Sequence, residues 1–245
     1  MIKQQILFED LGNLDYQSAW DYQELLLQKN LSFKSNKLSV EQNVKASFET
    51  EAELVSTTKH YLLFVEHPPV YTIGNSGKME HVLINEKERE KKSIQFYKTN
   101  RGGDITFHGP GQLVAYPIFD LEKFYTDIGK YLRSLEEVII LTMREYGLKG
   151  ERSPGNTGVW IDPTVKGKER KICAIGVRCS RWVTMHGFAF NINTNLDYFN
   201  YIIPCGIQNK QVTSLEKELG KHIPMEEVKK KVRKNFEQVF EAELL

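Results

Sequence analysis

The run from Arg101 to Pro117, RGGDITFHGPGQLVAYP, sets four glycines among a guanidinium, an imidazole and a primary amide. Glycine lets a main chain approach a ligand closely and adopt positive φ, and Arg101, Thr106, His108 and Gln112 are more polar groups than a turn requires. The stretch is therefore expected to hold a ligand. A plain hairpin, strand–glycine loop–strand, is the structural alternative. Neither standard phosphate-binding glycine spacing is present, so no nucleotide motif is supported.

Nucleophilic chemistry points to the cysteines. Cys173, Cys179 and Cys205 form an odd set without C-x-x-C spacing, which fits free thiols better than a disulfide framework or a zinc site. Cys205 stands apart, because Ile203-Pro204-Cys205-Gly206-Ile207 puts it at a turn, between a proline and a glycine. Cys173 lies in an alternating run where a small buried hydrophobe is the commoner role, and Cys179 closes the same run. A thiol at neutral pH is only a few per cent thiolate, so a catalytic cysteine needs a neighbouring cation or base. Lys171 and His186 are both candidates. His67, before two prolines, reads as structural. The histidines form no H-x-x-x-H pair, and no metal is indicated.

These groups must be positioned by a framework. Helical spacing marks Tyr16 to Gln28 with Asp15 as N-cap, Asp127 to Tyr146 ending at Gly147, and Met225 to Phe240 after Pro224. Strands are expected at Tyr61 to Glu66, Val70 to Ile73, Ile94 to Thr99, Gln112 to Ile118, Thr157 to Ile161, Lys171 to Arg178 and Trp182 to Asn193. Ser32 to Thr58 is polar and reads as an irregular excursion that closes with a short helix near Glu51. Strands in runs with helices at the ends and the middle predict an α+β fold with a mixed, largely antiparallel sheet. No repeat or linker divides the 245 residues, so residues 1–245 read as one domain. A net charge of +1 gives no global field for nucleic acid or membrane. The apolar runs are short of a bilayer span and no secretory core opens the chain. A soluble, cytoplasmic protein is expected.

Several motifs then agree in order. Arg101 to Gln112, Lys171-Ile-Cys-Ala-Ile-Gly176, His186-Gly187 and Pro204-Cys-Gly206 resemble the signature of the lipoyl(octanoyl) transferases. Glu66 to Gly74, Thr157 to Trp160 and Val212 to Leu215 sit where that family has similar stretches. The resemblance implies the α/β fold of the biotin and lipoate ligase catalytic domains. It also implies transfer of an octanoyl group from acyl carrier protein to a lysine of lipoyl domains, those of 2-oxoacid dehydrogenases and the glycine cleavage H protein, in the first step of endogenous lipoate synthesis.

By the same resemblance Cys205 is the nucleophile that carries the acyl thioester, and Lys171 lowers its pKa and moves protons. Substrate contacts fall on Arg101, Gly102, Gly103, Asp104, Ile105, Thr106, Phe107 and His108, on Ala174, Ile175 and Gly176, and on Gly187, Phe188 and Ala189. Small residues there let main-chain N–H groups reach the thioester carbonyl. Thioester exchange is nearly balanced and amide formation runs downhill, so no cofactor is required.

Two departures stand out: the Ser32 to Thr58 segment is longer than the family's connection, and Asp104 replaces an expected glutamine, adding a charge near Arg101. Cys173, two residues past Lys171, falls on its face of a regular strand and is the rival thiol. Lys229 to Lys234 and Lys87 to Lys92 read first as solvated helix faces and second as steering surfaces for acidic carriers. The alternatives are an ATP-dependent lipoate or biotin ligase and a non-catalytic acyl-carrier-binding protein.

Overall fold

The structure is a computed structural model that describes residues 3–44, 57–203 and 211–245, with side chains throughout except at 36–44. In chain order its elements are β1 (Gln4–Asn13), α1 (Tyr16–Val44), β2 (His60–Glu66), β3 (Val70–Ile73), α2 (Glu86–Lys91), β4 (Gln95–Lys98), β5 (Ile105–His108) and β6 (Gln112–Ile118). After these come α3 (Ile128–Arg144), β7 (Glu151–Ser153), β8 (Asn156–Ile161), β9 (Arg170–Ser180), β10 (Val183–Asn191), β11 (Gln211–Val212), α4 (Leu215–Leu219), α5 (Met225–Phe240) and β12 (Ala242–Leu244).

The main sheet runs β12-β1-β2-β6-β10-β9-β8-β7, with β11 beside β9. Pairings of β1 with β12 and β2, and of β11 with β9, are parallel; the other pairings in this sheet are antiparallel. One face packs on α3 and α5, whose Tyr131, Leu135, Val138, Ile139, Val232, Phe236 and Phe240 meet Phe64, Ala115, Phe188 and Phe190. The other face meets α1 through Ala19, Leu26, Leu27 and Leu31. The α3 stripe follows the 3.6 period, its Asp127 side chain accepts from Lys130 N, and Gly147 at φ 75° lies just past its end. This mixed, largely antiparallel sheet between helices is the expected architecture.

Some expectations are corrected. α1 continues to Val44, so the first part of the presumed irregular excursion is helical. No glycine or proline interrupts Tyr16 to Thr58, and polarity alone does not stop a helix. The helix expected near Glu51 lies outside the described residues. The short strands β7, β11 and β12, and the ten-residue β1 that lies between β12 and β2, carry no strong periodic signal and are not expected from the sequence. The hairpin alternative fails for the glycine segment: β5 pairs with β3 in a separate sheet of order β4-β3-β5, while β6 pairs with β2 and β10 in the main one.

The two sheets close on each other at glycines. At Gly176 a Cβ would lie 2.7 Å from Gly102 O, so the glycine loop rests directly on β9, and Gly102 N donates to Val177 O at 2.9 Å. At Gly187 a Cβ would overlap Ala115 O and sit 2.6 Å from Pro117 Cδ, both parts of β6 that cannot give way cheaply. Gly187→Ala is therefore expected to cost about 3 kcal/mol of stability, seen as a lower urea midpoint at unchanged slope; an unaltered midpoint would show that β6 yields.

Candidate active site

A cavity opens between the small sheet and β6, β10 and β9 of the main one. From the glycine loop and β5 come Arg101, Gly103, Asp104, Ile105, Thr106 and His108; from β9, Lys171, Ala174, Ile175 and Gly176; from β10, His186, Gly187, Phe188 and Ala189. Tyr16 of α1 and Val114 and Tyr116 of β6 complete the wall. A connecting cavity shares Thr106, Lys171, Ala174 and Ala189 and adds Gln112, Asn191, Phe199 and Val212. Two sequence-predicted positions stay outside both linings. Phe107 alternates to the far side of β5, where it stacks on Tyr198 at 4.6 Å, and Gly102 spends its N–H on Val177 O, so it is not available to a substrate oxyanion. Cys205 lies outside the described residues.

Arg101 is buried, and its guanidinium holds the loop's own main chain. Nη2 donates to Thr72 O at 2.7 Å, Thr72 Oγ1 at 3.0 Å and Asp104 O at 2.8 Å, and Nη1 donates to Gly102 O at 3.0 Å. The Asp104 carboxylate does not pin that guanidinium. Its Oδ1 accepts from Ile105 N at 2.7 Å and its Oδ2 lies 2.6 Å from His81 Nδ1.

From Thr72 a directed chain of hydrogen bonds crosses the site. Gln112 Nε2 donates to Phe107 O and to Asn191 Oδ1 at 2.8 Å, which leaves Gln112 Oε1 to accept from His108 Nδ1–H at 2.9 Å. His108 Nε2 is then the acceptor for Thr72 Oγ1–H at 3.3 Å. Asn191 Nδ2 donates to Thr213 O at 3.0 Å, and Thr213 N donates to Lys171 O at 2.9 Å. Glycine loop and lysine strand are thus joined by buried polar side chains that leave no step unpaired. Asn191→Ala orphans the Gln112 amide and Thr213 carbonyl and is expected to cost about 2 kcal/mol, measured by urea unfolding; a change below about 0.5 kcal/mol would mean that the chain relaxes around the gap.

The imidazoles around the cavity are neutral. Burial lowers His67 to about 4 and His186 to about 3, and it drives His108 well below the usual range, with His67 and Arg101 adding to the effect. His67 Nδ1–H donates to Leu14 O at 2.7 Å, so its Nε2 accepts Tyr116 O–H at 2.7 Å. Tyr16 is pushed up to about 12 by burial and stays protonated. His186 holds a positive φ of 60° within β10, its Nε2 lies 2.7 Å from Asn100 Oδ1, and its Nδ1 has no hydrogen-bond partner among the described residues. The ring lies tilted by 56° against Trp20, with centroids 6.2 Å apart.

Because folding lowers these histidine pKa values, the unfolded chain binds more protons between about 4 and the unfolded value near 6.5. Stability is full above that range and falls as pH drops through it. Each such histidine contributes a slope of about 1.4 kcal/mol per pH unit. Urea unfolding at pH 7.5, 6 and 5 should show this loss, reduced in His67→Gln; a flat profile would contradict burial of the neutral rings.

Lys171 and Cys173 do not share a face. Val159 pairs with Cys173 but Trp160 pairs with Lys171, so Ile172 is an extra residue on β9. Such a bulge resets the alternation: Ile172 and Cys173 both enter the core packed on α3, whereas Lys171 and Ala174 line the cavity. The Cys173 thiol is pushed well above its usual range, chiefly by burial and opposed by Lys171. Burial also raises Cys179. In both, burial disfavours the thiolate form. The Lys171 Nζ stands 4.7 Å from the centroid of the Trp160 ring.

Tyr16, Val114 and Tyr116 were not singled out from sequence. Alternation along β6 places Val114 and Tyr116 opposite Leu113 and Ala115, but in a strand buried on both faces the pattern does not say which face holds the cavity. The Lys229 to Lys234 run is largely neutralised: Lys229 pairs with Asp10 and Glu226, and Lys231 and Lys234 with Glu145. Among the described residues no helix is long and apolar enough to cross a membrane.

Comparison with known proteins identifies the family. Residues 15–237 match the family model of the lipoyl protein ligase A/B catalytic domain. The chain is 54% identical to an octanoyltransferase of Christiangramia forsetii over 99% of both chains, and 55% identical to one of Flavobacterium johnsoniae over the full length of both. Among solved structures, a lipoate-protein ligase A bound with ATP superposes with a TM-score of 0.66 at 15% identity, covering 100% of this chain and 88% of the other. A biotin protein ligase from Aquifex aeolicus in complex with biotin and ATP gives 0.51 at 13% identity, covering 96% and 70%. At those identities the superpositions speak to the fold. With a sheet, a glycine-clamped cavity and full-length matches all in agreement, the chain belongs to the lipoyl protein ligase A/B catalytic-domain family, among its octanoyltransferases.

Proposed function

We propose that this acyltransferase moves an octanoyl group from octanoyl-acyl carrier protein to a lysine of a lipoyl domain through a thioester on Cys205. The observation that carries the reading is the cavity's composition: a slot with Val114, Ala174, Ile175, Phe188 and Ala189 in its walls and Lys171 where it meets the second cavity. Burying the chain's six or so methylenes contributes about 5 kcal/mol before ordering costs, which favours a medium chain over acetyl.

Chain connectivity supports Cys205 as the partner of that lysine. Phe199 and Val212, on either side of residues 204–210, line the same cavity as Lys171. Cys205 is the second residue after Ile203, with only Pro204 between, which limits the reach from one Cα to the other to about 7 Å, and Ile203 N is tied to His81 O at 2.8 Å. The alternatives, the buried Cys173 and the half-buried Cys179, are disfavoured as thiolates.

In the first half-reaction the Cys205 thiolate attacks the thioester carbonyl. The carrier thiolate leaves and takes a proton from the Lys171 ammonium. In the second, the acceptor lysine gives a proton to the Lys171 amine and attacks the Cys205 thioester. The amide forms, the Cys205 thiolate departs, and the remaining proton goes to water. Lipoyl domains of 2-oxoacid dehydrogenases and the glycine cleavage H protein are the proposed acceptors.

Intact-mass spectrometry after mixing with octanoyl-acyl carrier protein, without ATP, should show one octanoyl adduct removable by hydroxylamine. Cys205→Ala should show none, and Lys171→Ala should form it about 100-fold more slowly. An adduct that requires ATP would favour a ligase, and one that persists in Cys205→Ala would assign the nucleophile elsewhere.

A further inference from the structure

We propose that Trp160 is a positioning residue for Lys171, its indole face holding the ε-ammonium at the cavity mouth until acyl transfer begins. The inference deepens the proposed function and rests on the reading of Lys171 as the proton carrier.

Trp160 and Lys171 are direct cross-strand partners in the β8–β9 ladder, so their side chains stand on one face. The ammonium lies 4.7 Å from the ring centroid, within the range where the quadrupole of an aromatic face attracts a cation. Trp160 is only 2% exposed, so the ring is held in place and the attraction is weakly screened.

The pairing is set by its surroundings. The extra residue Ile172 turns Lys171 to the Trp160 side while sending Cys173 to the core. Gly158, at φ 112°, lets β8 close onto β9 beside the lysine: a Cβ there would lie 2.5 Å from Cys173 O, with Lys171 Cε in ordinary contact at 3.5 Å. Gly158 N donates to Oε1 of the buried Glu136 at 3.0 Å, and Oε2 of that carboxylate accepts from Arg152 Nε at 3.1 Å. The strand carrying Trp160 is thereby tied to α3 two residues before the indole.

The chemistry follows the charge. A protonated amine is drawn to the ring and favours a thiolate beside it. After the ammonium has given its proton to the departing carrier thiolate, the attraction to the ring falls away and the side chain is released toward the incoming acceptor. Regaining a proton from that acceptor returns it to the ring.

The test is a titration of the Lys171 ε-amine by NMR in protein with labelled lysine, in wild type, Trp160→Leu and Trp160→Tyr, paired with single-turnover thioester formation. Trp160→Leu should lower the amine's pKa by about half a unit, a roughly threefold change in its protonation equilibrium. Through loss of the amine's fixed position it should slow thioester formation at pH 7 by about threefold, with KM for the acyl carrier unchanged; Trp160→Tyr should restore most of both. An unshifted amine in Trp160→Leu, or a tyrosine variant as impaired as the leucine one, overturns the proposal. The titration needs no substrate, so a wild-type protein that forms no thioester would sink the acyl-transfer reading while leaving the indole's effect on the amine decided on its own.

Discussion

The site depends on one buried hydrogen-bond chain. It starts at the Arg101 guanidinium, passes through the Thr72 hydroxyl, the His108 ring, the Gln112 amide and the Asn191 amide, and ends on the main chain beside Lys171. Every donor points the same way, so each bond polarises the next. The chain links elements far apart in sequence and in different sheets: β3 and β5 of the small one, β6 and β10 of the large one. It also explains why the histidine is neutral. A second ring proton would have to displace the Thr72 hydroxyl from Nε2, within a wall already facing the Arg101 charge.

The second constraint is the extra residue on β9. A regular strand would set Lys171 and Cys173 side by side on one face. The bulge separates them, placing one in the cavity wall and the other in the core. One inserted position thus parts an amine that lines the cavity from a buried sulfur two residues away.

The helices and most strands were legible because their periods are strong and their ends carry caps and glycines, as in α3 with Asp127 and Gly147. The glycine-rich segment announced a ligand surface through composition alone. What stayed hidden were features that exist only in three dimensions. The partition of β5 and β6 between two sheets is invisible in a segment that reads as a hairpin, and the length of α1 is hidden because polar helix formers resemble a loop. Phe107 was assigned to the cavity as part of a contiguous motif, yet alternation along β5 turns it to Tyr198. Tyr16 belongs to the site only through tertiary packing of α1 against the two histidines.

Since β5 and β6 join different ladders across the turn at Gly109 to Gly111, no backbone pairing between these two strands spans the cavity. Its bore is governed by the bulk of side chains such as Val114 and Ile175, not by strand spacing. Under the proposed acyl-transfer reading, swapping one aliphatic residue for a larger or smaller one would retune which tail fits while leaving every interstrand bond intact.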